Sequence, residues 1–418
     1  MTTNKFSELS NTNDPTCLYK WAWSTIFLQT GRTSSCHRTW NDQVDHTNFE
    51  TFHNTPTKLE TRQAMLDGKW PGKGCEYCKK IEDSGGVSDR VDLNGNARIE
   101  WIPKELMENN RAINITPTMV EVYFSNLCNM ACVYCDPGYS STWEVEARKH
   151  NLYSKEYLDK LIFNKDKYSL ILEKFWQWLD KNAANLERYN ILGGEPFYQD
   201  ELETNIEFFE THPCPKLKLT IFSNLKVNEK KFRTIMDKVN SLLQRKHLKE
   251  VKITASIDCW GSQQEYVRHG IDLTQWEKNF SILVHDYVDV ELELHGTMSG
   301  LTIKTIPELT ERMNTWNVFR RSINKKTIYQ TFNLVVHPPY MAPGIFPTGF
   351  FDADFDRLVA VVEHESDKRT IRGYQSTINN APHNPDMVEK LKTELTAIDK
   401  RRNLNWRDHF AWLEDSNV

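Results

Sequence analysis

From Thr118 onward the chain alternates short β-rich runs with amphipathic stretches whose apolar residues recur at spacings of three and four. That alternation confines it to an α/β class, a βα series built on a parallel sheet. Six strands are predicted, at Met119 to Ser125, Arg188 to Leu192, Leu217 to Phe222, Val251 to Ile257, Val290 to His295 and Ile328 to Val336. Helices are predicted between them at Leu170 to Asp180, Glu201 to Glu210, Glu229 to Leu243, Thr274 to Asp286 and Ile306 to Trp316. In parallel βα folds the functional groups gather on loops leaving the carboxyl ends of the strands. A motif that carries chemistry should therefore follow a strand directly.

The first strand runs into Cys128-Asn-Met-Ala-Cys132-Val-Tyr-Cys135, a C-x3-C-x2-C spacing that sets three thiolates on one loop. A [4Fe-4S] cluster normally takes four protein ligands, so three leave one iron open. Half of a structural zinc site is the alternative, but zinc sites usually close with a second pair or with histidines. The next histidine is His150, beyond a Ser/Thr-rich turn. After the second strand comes Gly193-Gly194-Glu195-Pro196, where glycine allows close backbone approach. Ser223-Asn224 ends the third strand, Ser256-Ile257-Asp258 the fourth, and Tyr266-Val-Arg268-His-Gly270 follows. Each alone also suits a turn or a helix cap.

In that order, these motifs resemble the radical S-adenosylmethionine (SAM) superfamily. The resemblance implies a partial (β/α)6 TIM-like barrel whose [4Fe-4S] cluster, held by Cys128, Cys132 and Cys135, chelates the amino and carboxylate groups of SAM through its open iron. Reductive cleavage of SAM then gives a 5′-deoxyadenosyl radical that takes hydrogen from a substrate. It also implies that Gly193, Gly194 and Glu195 engage the SAM amino group, and that Ser223 and Asn224 lie near its ribose and methionine portion. Ser256 and Asp258 suit ribose or carboxylate hydrogen bonding, Arg268 the SAM carboxylate, Tyr134 the adenine and Thr297 the adenosine.

A second cysteine set precedes the series. Cys17 and Cys36 flank Gly31 in a C-x(9–15)-G-x4-C pattern, and Cys75 and Cys78 form a C-x2-C pair. This resembles the SPASM and twitch auxiliary modules, and the likeness extends through Glu82, Gly85, Ser88 and Arg90. Four thiolates complete a second [4Fe-4S] cluster or a tetrahedral zinc site equally well by count. The resemblance and the iron already implied favour the cluster, with a role in electron transfer or in shaping a substrate surface. Gly31 is expected to turn a tight hairpin that brings Cys17 and Cys36 together. In the best-known members the module follows the barrel, whereas here it comes first.

The expected organisation is a polar tail at 1–14, the twitch-like module at 15–100, the barrel at 115–340 and a C-terminal helical extension at 341–418. Helices are predicted near Asp352 to Glu365 and Pro385 to Leu413, the last resembling a closing helix that docks on the auxiliary module. Cys214 and Cys259 read as unremarkable buried thiols. With 39% hydrophobic residues, a net charge of −5 and no long apolar run, the composition gives no drive toward nucleic acid or membrane, and cytoplasm is the expectation. The expected partners are a low-potential donor such as flavodoxin or ferredoxin and a substrate. That substrate is a peptide to be oxidised or crosslinked, with a small alcohol or aminocyclitol as the alternative. A non-catalytic metal-binding scaffold and a ferredoxin-like electron carrier stay open. His295, His337, Tyr340 and Glu121, near predicted strand ends, are candidate proton acceptors without an assigned role.

Overall fold

The computed structural model describes residues 14–37, 42–72, 74–83, 85–161 and 165–414; the expected polar tail lies almost wholly outside them. Nine strands form a mostly parallel sheet: β1 Trp23–Phe27, β2 Arg32–Ser34, β3 Asp42–Gln43, β4 Met119–Tyr123, β5 Arg188–Leu192, β6 Cys214–Ser223, β7 Leu248–Ser256, β8 Glu291–Met298 and β9 Tyr329–Leu334. Their order is β3-β2-β1-β4-β5-β6-β7-β8-β9. The six predicted strands are β4 to β9. By contact the chain divides into two units, 1–126 with 159–221 and 241–251, and 127–158 with 222–240 and 252–418. Among the described residues no helix is long and apolar enough to cross a membrane.

In the first unit the N-terminal hairpin is continuous with the sheet. β1 and β2 pair antiparallel, Gly31 turns between them at φ +66°, and β1 then runs parallel to β4 with Thr25 opposite Glu121. β4 runs parallel to β5, and β5 to β6. The helix Lys165–Asn182 buries Ile171, Phe175, Trp178 and Leu179, one stripe at helical spacing. A separate apolar cluster gathers Cys17, Leu18, Trp21, Met65, Cys75, Trp101 and Met119. The cysteine hairpin and the first strand of the βα series thus share a core.

In the second unit β7 runs parallel to β8 and β8 to β9. Alternation puts Lys252, Thr254 and Ser256, Glu293, His295 and Thr297, and Tyr329, Thr331 and Asn333 on one polar face. The expected helix Asp352 to Glu365 is two helices, Asp352–Val361 and Glu365–Asn379, because Val362 and His364 are extended. The expected helix Pro385 to Leu413 stops at Arg402, where Asn403 turns left-handed at φ +54°; short turns at Trp406–Asp408 and Ala411–Glu414 follow. Leu391, Leu395, Ile398, Trp406, Phe410 and Leu413 share an apolar core with Val133 and Cys259. The C-terminal helices are therefore built into the unit that holds the Cys128–Cys135 loop. Cys259 and Cys214 are both buried, as expected of ordinary core thiols.

Candidate functional site

In the second unit the loop Cys128–Cys135 has no regular secondary structure, so its backbone groups need other partners. A run of four residues beginning at Ser140 supplies most of them. Ser141 Oγ accepts from the Cys128 N–H and donates to the Cys128 carbonyl, both at 3.1 Å, and Thr142 Oγ1 donates to that carbonyl at 2.7 Å. Ser140 Oγ donates to Met130 O at 2.6 Å while capping the helix Ser141–Lys149 through the Trp143 N–H. The Trp143 indole N–H donates to Cys132 O at 2.6 Å. Across the loop, Ala131 N and Val133 N donate to His269 O and Val267 O. Met130, Ala131 and Val133 are buried, and the three cysteines of the loop are half-buried.

The third strand's end also meets this loop. Asn224 Nδ2 donates to Asn129 Oδ1 at 3.1 Å and stands 4.0 Å from Cys128 Sγ. Ser223 Oγ accepts from the N–H of Leu225, a buried residue held left-handed at φ +54°. That conformation is uncommon outside glycine and marks a constrained turn.

Asp258 is fully buried and its two oxygens accept four hydrogen bonds. Arg268 donates from Nε at 3.0 Å and NH2 at 2.9 Å, Tyr134 from its hydroxyl at 2.7 Å, and the Thr297 N–H at 2.8 Å. The Arg268 guanidinium also lies 5.8 Å from the Tyr134 ring centre. Asp258 is thus the hub that holds Arg268 and Tyr134, with its acceptor capacity filled. Burial pushes the Cys132 and Cys135 thiols up; at Cys132 the charges of Arg268 and Arg402 pull the other way. Ser256 pairs with His295 along the sheet.

On the polar face, Thr331 Oγ1 donates its one proton to Glu293 Oε1 at 2.6 Å. His295 Nδ1, 2.8 Å from the same oxygen, must then be the donor to it. That leaves the Nε2 lone pair beside Asn333 Nδ2 at 3.1 Å. Glu293 is held below the usual carboxylate range: burial acts upward, and the charge and hydrogen bond of Lys252, 2.7 Å away, together with the Thr331 hydrogen bond and His295, outweigh it. Of the other candidate proton acceptors, His337 is exposed, and burial pushes the Tyr340 hydroxyl up to about 12.

In the first unit the Gly193-Gly194 turn is backbone-limited. Gly193 sits at φ +90°, and a Cβ there would meet Ser125 O at 3.0 Å and Tyr123 Cα at 3.1 Å. Gln199 Nε2 donates to Gly193 O at 3.0 Å. Glu195 is buried and accepts from Phe197 N at 3.1 Å. Glu121, buried beside Thr25 Oγ1 at 3.2 Å, is pushed up by burial.

The same unit brings together all four cysteines of the N-terminal set. Cys17, Cys36, Cys75 and Cys78 line one small cavity with Lys20, Met65, Trp70, Gly74 and Arg90. Arg90 and Glu82 form a buried two-pronged pair, Nε to Oε1 at 2.9 Å and NH2 to Oε2 at 2.5 Å. Arg90 NH1 and Asn94 Nδ2 both donate to Thr16 O, and Asn94 Oδ1 accepts from Leu18 N, so this stretch clamps the backbone on both sides of Cys17. Burial pushes the Cys17 thiol up to about 12, and raises Cys75 and Cys78. No disulfide joins any of the nine cysteines. Among the described residues no three His, Cys, Asp or Glu side chains are gathered as ligands of a single metal ion.

Three groups near these sites gave no signal in the sequence. Lys20 sits inside an apolar stretch, and Gln199 looks like any helix-start residue. Arg402, some 270 residues beyond the loop, has a side chain only 3% exposed. Its Nε donates to Glu146 Oε2 at 2.9 Å, its guanidinium lies 5.0 Å from the Trp143 ring centre, and NH1 and NH2 are buried without a hydrogen-bond acceptor.

No family model matches the chain, and no curated protein matches it. Among solved structures it is similar to Streptococcus suis SuiB bound to S-adenosylmethionine, with a TM-score of 0.38 and 16% identity over 86% of this chain and 70% of that one. Those values are too low to carry an assignment, and the functional reading rests on this chain's own residues.

Proposed function

We propose that the chain is a radical SAM enzyme with an N-terminal auxiliary [4Fe-4S] site. The observation that carries this reading is the Cys128–Cys135 loop: three half-buried thiols just beyond a parallel strand, on a backbone pinned by Ser140 to Trp143. The donor set fits a cluster with one open iron, and the buried N–H groups of Arg402 are donors of the kind an anionic centre accepts. When bound, that cluster and SAM supply reductive cleavage to a 5′-deoxyadenosyl radical. The protein's part is to hold and orient. The Ser140 to Trp143 run fixes where the three sulfurs stand, and Asn224 supports the loop at Asn129. Asp258 takes the Arg268 fork and the Tyr134 hydroxyl in one arrangement; the Tyr134 ring is proposed for an adenine and the remaining Arg268 N–H groups for a carboxylate. Gly193, Gly194 and Glu195 are proposed to engage the SAM amino group. Ser223 and Ser256, the last residues of β6 and β7, and Thr297, near the end of β8, are proposed to line the nucleoside.

For substrate we propose a peptide side chain, oxidised or crosslinked. The polar face of β7, β8 and β9 supports a hydrogen-bonding substrate, and on it His295, with Nδ1 donating to Thr331 and Nε2 beside Asn333 Nδ2, is the imidazole proposed as base, which burial favours in its neutral form. Cys17, Cys36, Cys75 and Cys78 are proposed to hold the auxiliary cluster, with a low-potential flavodoxin or ferredoxin as the external donor. The test is anaerobic reconstitution with iron and sulfide, reduction, addition of SAM and quantification of 5′-deoxyadenosine. The expected result is product that disappears in Cys132→Ala. A fully loaded, reducible chain that forms none, with or without candidate peptides, refutes the proposal and favours a metal-binding scaffold.

A further inference from the structure

Burying an ammonium group without a carboxylate costs several kcal/mol unless an anion stands beside it. Two cations line the four-cysteine cavity, and they differ in this respect. Arg90 is paired by Glu82. Lys20 is 3% exposed, its Nζ reaches only Ser35 Oγ, at 3.4 Å, and among the described residues no carboxylate pairs with it. Behind it, Arg62 and Lys58 are themselves basic, and the carboxylate that acts on Lys58, Asp42, accepts a hydrogen bond from Thr55 Oγ1 rather than from Lys20. Arg62, fully buried, spends its donors on the carbonyls of Lys20, His53 and Ile113 and on the side chains of Asn54 and His53. Lys58 Nζ donates to Ser24 Oγ, Thr33 Oγ1 and Phe52 O. Arg62 Nε, 2.6 Å from Lys20 O, also fixes the backbone from which the Lys20 side chain enters the cavity wall. Lys20 is therefore a buried cation without a carboxylate partner at the wall of the cavity that Cys17, Cys36, Cys75 and Cys78 line.

We propose that Lys20 is the charge partner of an anionic iron–sulfur cluster at Cys17, Cys36, Cys75 and Cys78, placed to favour its reduced form so that the auxiliary site receives electrons. This rests on the reading that those four cysteines hold a cluster. Reduction adds one electron and one negative charge to the cluster and breaks no bond. The electron comes from a one-electron donor, such as a substrate radical or the external reductant. A fixed cation at the cavity wall stabilises the reduced state more than the oxidised one, so the midpoint potential rises.

The experiment uses the full chain with Cys128, Cys132 and Cys135 replaced by alanine, so that only the auxiliary site loads. Lys20→Met, Lys20→Gln and Lys20→Arg are compared with it. After anaerobic reconstitution, iron and sulfide are counted and the reduced cluster is titrated against solution potential by electron paramagnetic resonance. In the two neutral variants the reduced-to-oxidised ratio at a given potential is expected to fall about tenfold, which is 59 mV for a one-electron couple; Lys20→Arg keeps the parent value. An unchanged midpoint in fully loaded Lys20→Met overturns the proposal. If the neutral variants fail to load while Lys20→Arg loads, the charge is needed to assemble the anionic centre, which supports it. If Lys20→Arg fails as well, packing rather than charge is what Lys20 supplies, and the proposal falls. A parent that binds no iron and sulfide refutes the underlying reading instead.

Discussion

Replacing Asp258 with asparagine keeps its shape and removes its charge. In the native protein Oδ1 accepts from the Thr297 N–H and Arg268 NH2, and Oδ2 from Arg268 Nε and the Tyr134 hydroxyl. An amide has one oxygen, so whichever way it turns, two of these four donors face an NH2 group. Arg268, only 8% exposed, is at the same time left as a buried cation without its counter-charge. Removing one partner of a buried pair costs about 3–5 kcal/mol, most of it the penalty on the charge left behind. Urea unfolding of cluster-free protein, followed by far-UV circular dichroism, should show that loss in Asp258→Asn. Arg268→Met removes the stranded charge, so the double variant should be less destabilised than the two single changes summed, by at least about 1 kcal/mol. A cost for Asp258→Asn under about 1 kcal/mol, or strict additivity in the double variant, would refute the description of Asp258 as the hub of this cluster.

Gly193→Ala places a Cβ against Ser125 O and Tyr123 Cα at a positive φ; a loss of about 1–3 kcal/mol is expected on thermal unfolding, together with weaker SAM binding by calorimetry. Ser140→Ala removes both a helix cap and the donor to Met130 O, and about 1–2 kcal/mol with faster iron loss to a chelator is expected. Glu146 is pushed up by burial, but hydrogen bonds and charge from Arg401 and Arg402 hold it below the usual carboxylate range. A group whose folded pKa is depressed gives stability that is complete above its unfolded pKa, about 4.3, and is lost as pH falls through the folded one. The stability difference between the parent and Glu146→Gln should accordingly shrink on acidification below about pH 4.3 in urea titrations, and a constant difference down to pH 2 would contradict the pairing.

The βα series was legible because each strand's pattern is local: Arg188–Leu192 has the predicted bounds, with Tyr189 and Ile191 buried in alternation. The motifs were legible because they follow strands. The parallel pairing of β1 with β4 was not, since it joins residues about a hundred positions apart and leaves no mark on either run. Ser140 to Trp143 looked like an ordinary polar turn, and only the fold shows that its hydroxyls and indole face the carbonyls of the cysteine loop. Asp258 and Arg268 suit ligand contacts by residue type, and sequence spacing does not show that they bond to each other. The last helix was expected to continue to Leu413 because its apolar spacing persists past Arg402, yet Asn403 turns the backbone and Trp406 N then donates to Asp399 Oδ2 at 2.7 Å.

Glu146, on the helix that carries the cysteine-loop clamp, is held by Arg401 across 255 residues of sequence. Translation at about 5–20 residues per second separates the two by roughly 13–50 s. For most of that interval the nascent chain presents Cys128, Cys132 and Cys135 on a segment whose supporting helix lacks its arginines and whose apolar partners, from Leu391 to Leu413, have not been synthesised. The order of synthesis thus leaves the Cys128–Cys135 loop without these supports until the segment from Leu391 to Leu413 has been made.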